Sequence, residues 1–309
     1  MMASESAHET YYVPEQTKYP FFASIALFLM VFGMASVLNN FSAGESVTVS
    51  TWIALGGFTM LSVIIFNWFA TAIREHQQGL NSAQLQRSYV WGMVWFIFSE
   101  VMFFAAFFGA LFYVRTFAVP WLGGEGAKGV TGDILWPEFE AAWPVLSNPD
   151  NTQFPPPEAS LSVTSWSPAF FLSYLPFWNT VILITSSVTL HFAHVALKAE
   201  NRQRLIQWMG VTVALGIIFL FLQGLEYVEA YDYYGITLDS GIYGSLFFML
   251  TGFHGFHVTL GTFILIVMLL RCMKGHFKPD DHFGFEAAAW YWHFVDVVWV
   301  LLFVVVYLI

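Results

Sequence analysis

The chain has 309 residues, of which 57% are hydrophobic and only 10% are charged, and its net charge is −10. Soluble domains carry about 25% charged residues, so this composition excludes an ordinary water-soluble enzyme. The single cysteine, Cys272, excludes an internal disulfide framework and a thiolate-bridged metal cluster within the chain. Long apolar stretches alternate with short polar ones, which predicts an all-α polytopic membrane protein.

Seven apolar segments are each long enough to cross a membrane, since a span needs about 20 mostly apolar residues and must be helical there. The polar residues 1–20 precede them without the basic start or cleavage-like end of a signal peptide. We therefore expect a short N-terminal segment that lies along the membrane surface. The predicted spans are 21–38, 52–72, 90–116, 176–197, 208–226, 243–270 and 290–309.

Two connections between the predicted spans differ in character. Residues 73–89 form a predicted inner loop between the second and third spans. Residues 117–175 form the longest connection, and stretches such as "PWLGGEGAKG" and "FPPPEA" argue against long regular helices there. A loop of this length is usually functional or a disordered insertion, and we expect a solvated outer loop.

The lysine and arginine residues indicate the orientation, because basic residues concentrate in cytoplasmic loops. Of the eleven in the chain, only Arg115 and Lys128 fall on the side opposite the N-terminus. We therefore expect the N-terminus in the cytoplasm and the C-terminus outside, in agreement with an odd number of spans. The basic residues on the N-terminal side are Lys18, Arg74, Arg87, Lys198, Arg202, Arg204, Arg271, Lys274 and Lys278.

Two acids stand out in or beside the predicted spans. Glu100 lies within "FIFSEVMFF" in the third span, and at about 1.5 Å per residue it is roughly 15 Å deep, near the bilayer midplane. An ionisable group there marks either a function or a hydrogen bond to another helix, and we weigh the two equally. In dry surroundings Glu100 would be protonated. Glu286 precedes the last predicted span, where a helix N-terminus favours a carboxylate.

Polar pairs spaced i, i+3 recur on three predicted spans, so the members of each pair share one helical face. Such a pair could chelate a metal, but ligation needs a third and usually a fourth ligand. Hydrogen bonding between helices needs only one partner, so we favour it and expect no metal site. The pairs are His191 with His194, His254 with His257, and His293 with Asp296.

Basic residues also cluster where two predicted spans reach the inner side. Arg74 follows an aromatic run in "NWFATAIRE", and Arg271, Lys274 and His276 follow the sixth span in "LLRCMKGH". Such side chains either hold anionic lipid headgroups or extend to the interface without a specific ligand. The residue pattern alone favours the second interpretation.

Five stretches resemble subunit III of the haem-copper cytochrome c oxidases. They are "FIFSEVMFF", "HFAHVALKAENRQ", "GLEYVEA", "SGIYGSLFFMLTGFHGFHVTLGTFILIV" and "HFGFEAAAWYWHFVDVVW". The resemblance extends from about residue 60 to the end, apart from the 117–175 loop, and is weaker across the first span. The last stretch is long and idiosyncratic, which makes the match specific.

The resemblance implies a fold and a set of partners. Members have seven helices in two bundles, here 21–72 and 90–309, with a V-shaped cleft that holds phospholipids. They carry no haem or copper and pack against the catalytic subunit I, which holds both haems and one copper, while subunit II holds the other copper. The expected partners are subunit I, subunit II and phospholipid, with cytochrome c as a candidate at the acidic outer face and no nucleic acid.

The resemblance also implies roles for individual residues. Glu100 corresponds to the family's intramembrane acid, which is associated with the lipid cleft and with sustained proton uptake by subunit I. His191 lies outside the family's histidine pattern, which weakens a histidine site on the fourth span. No catalytic residue and no metal ligand is implied. The candidates for lipid contact are Trp68, Arg74, Arg271, Lys274 and His276.

The resulting expectation is a non-redox core subunit of a proton-pumping cytochrome c oxidase in aerobic respiration. We expect it in the bacterial cytoplasmic membrane rather than the mitochondrial inner membrane. Seven spans favour the cytochrome c branch, because the quinol-oxidising relatives typically have five. The alternatives are a quinol oxidase subunit III, a haem-binding enzyme that uses the histidine pairs, and an independent proton or solute carrier that uses Glu100. The single cysteine excludes subunit II, whose dinuclear copper site needs two thiolates.

Overall fold

A computed structural model describes residues 16–309, and it is predominantly helical. Residues 1–15 of the predicted N-terminal segment lie outside the described residues, and the first helix begins at Tyr19. Within residues 16–309, seven helices are long and apolar enough to cross a membrane. The same residues contain no β-strand beyond an isolated bridge between Lys278 and Asp281. The predicted all-α fold with seven spans is therefore confirmed.

The described chain divides into two compact units, with the division between Tyr89 and Val90 inside the third long helix. Each long helix is continuous across the length that a bilayer requires. In chain order the helices are α1 (Tyr19–Ser42), α2 (Thr48–Gln77), α3 (Ala83–Tyr113), α4 (Val119–Leu122), α5 (Val130–Leu135), α6 (Pro168–Ser173), α7 (Leu175–Lys198), α8 (Arg202–Asp232), α9 (Ile242–Lys274) and α10 (Phe283–Leu302).

Helices α1 and α2 form a hairpin whose backbones approach closely. A Cβ on Gly57 would lie 2.4 Å from the backbone nitrogen of Met30, and one on Gly33 would lie 2.4 Å from that of Ala54. Only glycine fits at either position, and small residues of this kind let membrane helices pack backbone against backbone. The turn between the helices contains Gly44 at a φ of +68°, which glycine adopts without strain.

Polar contacts join the two ends of this hairpin. The hydroxyl groups of Tyr19 and Thr71 lie 3.3 Å apart at one end. At the other end, the Asn40 side-chain amide donates to Ser50 Oγ over 3.0 Å. The hairpin is thus joined by close backbone packing along its length and by hydrogen bonds at its ends.

Helix α10 is the most buried long helix of the second unit, and Trp292 lies at its centre. The indole N–H of Trp292 donates to Ser186 Oγ on α7 over 2.8 Å. Gly216 on α8 and Gly261 on α9 leave room for the ring, since a Cβ on either would lie 2.9 Å from a ring atom. One tryptophan therefore contacts three neighbouring helices.

Two predicted boundaries differ from the structure. Helix α3 passes through a π-helical turn, Val114–Ala118, into α4, so the third span ends at Leu122 rather than at residue 116. The rest of the long connection contains only the short helices α5 and α6. The predicted inner loop 73–89 is also shorter, because α2 continues to Gln77 and α3 begins at Ala83. Apolarity marks the membrane-embedded part of a helix, whereas polar helix ends still form the backbone hydrogen bonds.

Candidate functional site

Glu100 on α3 and His257 on α9 form a hydrogen-bonded pair between two membrane helices. The Oε2 atom of Glu100 lies 2.9 Å from Nε2 of His257. Both residues lie near the middle of their helices, far from the helix ends. Glu100 therefore contacts a polar side chain on another helix. That side chain is His257, which the i, i+3 spacing on the sixth predicted span had paired with His254.

The second ring nitrogen of His257 determines what the pair can do. Its Nδ1 lies 2.6 Å from the carbonyl oxygen of Phe253, and only a protonated nitrogen donates to a carbonyl. In a neutral His257 the Nε2 atom is then an acceptor, so the carboxyl of Glu100 holds the shared proton. If that proton moves to Nε2, the pair becomes a carboxylate and an imidazolium. In both states the pair is neutral overall and contains one transferable proton.

The surroundings of the pair are aromatic on one side and open on the other. The ring of Phe104 lies 5.0 Å from that of His257, and the ring of Tyr291 lies 6.4 Å from it. The His257 side chain is only 8% exposed, whereas that of Glu100 is 22% exposed. The carboxyl group therefore lies at the edge of the second unit, whereas the imidazole is enclosed.

The other predicted polar pairs also bond to neighbouring helices rather than internally. His254 is fully buried, and its Nε2 lies 3.2 Å from the carbonyl oxygen of Val295 on α10. Nδ1 of His293 lies 2.9 Å from Ser187 Oγ on α7. Asp296 is buried one turn further on, and its Oδ1 has no hydrogen-bond partner among residues 16–309. His293 therefore bonds to a neighbouring helix, as the sequence analysis favoured for these pairs.

His194 does not pair with the exposed His191 but meets two side chains at the start of α10. Its Nε2 lies 3.1 Å from Nε2 of His282 and 3.6 Å from Oε1 of Glu286. His282 Nε2 lies 3.2 Å from the same carboxylate oxygen. Glu286 lies in the first turn of α10, where the sequence placed it. His282 was not among the predicted site residues, although its i, i+4 spacing with Glu286 is a recognisable signal.

The predicted lipid-contact residues of the first unit lie together near one end of the hairpin. The ring of Trp68 stacks on that of Tyr19 at a centroid distance of 6.1 Å. The exposed guanidinium of Arg74 donates to Thr71 Oγ1 over 3.0 Å. These contacts hold an aromatic ring and a cation at the same end of α2.

The predicted lipid-contact residues of the second unit lie where α9 ends. Arg271 is buried with its guanidinium carbon 4.4 Å above the Phe277 ring, and its Nε–H has no acceptor among residues 16–309. Lys274 is exposed. Burial lowers the pKa of His276, and the charges of Arg271 and Lys274 lower it further. A buried guanidinium with an unsatisfied donor suits an anionic oxygen.

Glu226 is a second buried acid, and it was not among the predicted site residues. Glu226 on α8 is almost fully buried, and it accepts a hydrogen bond from the hydroxyl of Tyr307. Tyr307 lies in the π-helical turn Phe303–Leu308 that extends α10. An acid within the apolar run "GLEYVEA" is the same signal that singled out Glu100, so it could have been found.

Known proteins resemble this chain over nearly its whole length. A profile of the family described as cytochrome c oxidase subunit III matches residues 8–127 and 158–309, which omits part of the long outer connection. The chain is 37% identical to cytochrome c oxidase subunit 3 of Hippopotamus amphibius over 97% of this chain and 98% of the relative. It is 36% identical to that of Prototheca wickerhamii, with 96% of each chain covered. For Gadus morhua the identity is 35%, with 98% of each chain covered.

Proposed function

Because the chain belongs to the cytochrome c oxidase subunit III family, we propose that it is the non-redox core subunit of a proton-pumping oxidase that accepts electrons from cytochrome c. Membership makes the chain a multi-pass membrane subunit of an oxidoreductase complex. The proposal adds three roles. The subunit packs on subunit I, which holds both haems and one copper, while subunit II holds the other copper. It also organises phospholipid. Finally, it supports proton uptake by subunit I during sustained turnover.

The hydrogen bond between Glu100 and His257 is the observation that carries this proposal. It provides one transferable proton in a hydrophobic part of the protein, with the Glu100 carboxyl at the edge of the second unit. Loss of this proton alone would leave a net charge of −1 in the bilayer, so its delivery to lipid or an adjoining subunit must be coupled to uptake of another proton by the pair. The pair would therefore assist proton delivery to a neighbouring catalytic subunit.

The engaged histidine nitrogens support a non-redox role over a haem-binding enzyme. A haem iron needs a histidine nitrogen that is available for ligation. Nε2 of His254 faces the carbonyl of Val295, and both nitrogens of His257 face groups on the protein. Ligation by either histidine through Nε2 would break a contact between helices.

The basic residues support both the lipid role and the orientation. The unsatisfied guanidinium donor of Arg271 and the exposed ammonium of Lys274 lie at the same end of α9, and together they suit a phospholipid phosphate. The excess of lysine and arginine on the N-terminal side supports a cytoplasmic N-terminus and a periplasmic C-terminus in a bacterial inner membrane.

The substitution Glu100→Gln in the assembled oxidase tests the proposal. Glutamine keeps the shape and one hydrogen bond to His257 but holds no transferable proton. We expect the initial turnover to fall by less than about tenfold, because a directly participating acid would contribute roughly 10²–10⁴-fold. The enzyme should, however, inactivate sooner during continuous turnover. The measurements are oxygen consumption, proton release by proteoliposomes, and activity against the number of turnovers.

Glu229→Gln is the matched control, because Glu229 is an exposed acid near the outer end of α8. It should leave all three measurements unchanged. If Glu100→Gln also behaves as the wild type in all three, Glu100 has only a structural role. The donor is tested separately by supplying the same complex with reduced cytochrome c or with a quinol. Oxidation of quinol alone would place the chain in a quinol oxidase.

A further inference from the structure

The meeting point of His194, His282 and Glu286 is independent of the Glu100 pair and plays no part in the proposed function. Two imidazoles and one carboxylate come from the end of α7, the residue before α10 and the first turn of α10. Their facing atoms, the two Nε2 atoms and Oε1, are separated by 3.1, 3.2 and 3.6 Å. The three atoms thus form a nearly equilateral triangle.

The second nitrogen of His282 determines what its Nε2 atom can do in this triangle. Its Nδ1 lies 3.1 Å from the carbonyl oxygen of Lys278, so Nδ1 is the protonated nitrogen. In a neutral His282 a lone pair on Nε2 then points at both the carboxylate of Glu286 and the ring nitrogen of His194. A shared proton on one of the histidines, or a metal ion bound by all three atoms, would stabilise this arrangement.

A divalent metal ion matches both the chemistry and the dimensions. Zinc binds imidazole nitrogen and carboxylate oxygen at about 2.0–2.2 Å, and tetrahedral geometry then separates neighbouring ligand atoms by roughly 3.3–3.6 Å. The hydrogen bond from a metal-binding histidine to a backbone carbonyl is the usual support for such a ligand. We propose that His194, His282 and Glu286 form a zinc-binding site with a fourth position open to water.

Access and charge are compatible with an ion. The side chains of His194 and Glu286 are 23% and 32% exposed, whereas that of His282 is only 9% exposed. The triangle is therefore accessible beside His194 and Glu286, whereas His282 is enclosed by the protein. Lys198 lies one turn from His194 and opposes a cation, but it is exposed and its long side chain can turn away.

The loop that carries His282 holds it in a defined position. Gly275 ends α9 in a left-handed conformation with a φ of +73°, and the chain then forms the isolated bridge between Lys278 and Asp281. The ring of His194 also packs against that of Phe285 at 5.6 Å. An ion at this site would join the end of α7 to the start of α10. The proposed site differs from the expectation of no metal site, which considered only ligands three residues apart.

Zinc content per assembled oxidase tests the site. The complex is treated with a chelator, incubated with zinc chloride, desalted, and analysed for bound metal. The wild type should retain one more zinc than the variants His194→Asn, His282→Asn and Glu286→Gln. The matched control His276→Asn removes a histidine from the same end of the bundle and should retain zinc like the wild type. Excess magnesium should not displace the ion, because the imidazole ligands select against it.

X-ray absorption at the zinc edge of the wild-type complex needs no variant and covers the case in which a variant fails to assemble. We expect two imidazoles and oxygen ligands for the additional zinc. Equal zinc content in the wild type and the three variants would overturn the proposal. Coordination of the additional zinc by oxygen atoms alone, or release of the zinc by magnesium, would also overturn the proposal. Because none of these measurements uses turnover, they are independent of the Glu100 experiment.

Discussion

The α1–α2 hairpin and the second unit hold their helices together in different ways. In the hairpin, the middle of the contact consists of glycines that lie against the facing backbone, with hydrogen bonds only at the ends. In the second unit, large aromatic rings and buried polar groups fill the space between helices. Lipid chains are as apolar as leucine, so neither arrangement gains from burying apolar surface. The hairpin depends on the close approach of the two helix backbones, whereas the second unit depends on the packing of large side chains between helices.

Among substitutions that test this difference in packing, Trp292→Ala should lower the free energy of unfolding the most. The substitution Trp292→Ala leaves a cavity between three helices and removes the hydrogen bond to Ser186 Oγ, so the free energy of unfolding should fall by about 3 kcal/mol. Titration of the solubilised chain with denaturing detergent measures this. Trp91→Ala is the control, because Trp91 is 63% exposed. Equal losses in the two variants would show that the core contact is not specific.

A smaller effect is expected at the closest approach in the hairpin. In Gly57→Ala the new Cβ would lie 2.4 Å from the nitrogen of Met30, so the helices must separate. The cost should be on the order of 1–3 kcal/mol. Gly56→Ala is the matched control, because a Cβ there meets nothing within 4 Å. If Gly57→Ala is as stable as Gly56→Ala, close backbone packing does not hold this hairpin.

The smallest effect is expected for a single hydrogen bond of the second unit. Thr189 on α7 and Thr212 on α8 face each other with their hydroxyl oxygens 2.8 Å apart. Hydrogen bonds between membrane helices contribute about 0.6 kcal/mol on average, so Thr189→Val should destabilise by that amount. Thr185→Val is the control, because the Thr185 hydroxyl bonds within its own helix. A loss as large as that for Trp292→Ala would contradict the dominance of aromatic packing.

Apolar length alone predicted the seven spans, because each must satisfy its backbone within the bilayer. Helix ends were harder to predict, since polar residues at an end still continue the helix. The end of the third span at Leu122 is the clearest case, because the helix passes through a π-helical turn just before Pro120. The close approach of Gly57 to Met30 could not be foreseen either, because neighbouring Gly56 looks identical in sequence.

The candidate sites were predicted in part. Depth within an apolar run identified Glu100, but the same signal at Glu226 went unused. Spacing along one helix grouped His257 with His254 and His194 with His191, whereas the partners of His257 and His194 lie far away in the chain. Periodicity indicates which face of a helix a side chain occupies but not which helix covers that face. The interhelical contacts therefore needed the folded structure.

The hydrogen bond between Glu100 and His257 has an electrical consequence. If the shared proton moved from Oε2 to Nε2, the number of protons would be unchanged, but a dipole would appear along the 2.9 Å that separates the two atoms. The voltage across an energised membrane acts on any component of that dipole along the membrane normal. The respiratory state of the membrane would thus bias the position of the proton within the pair.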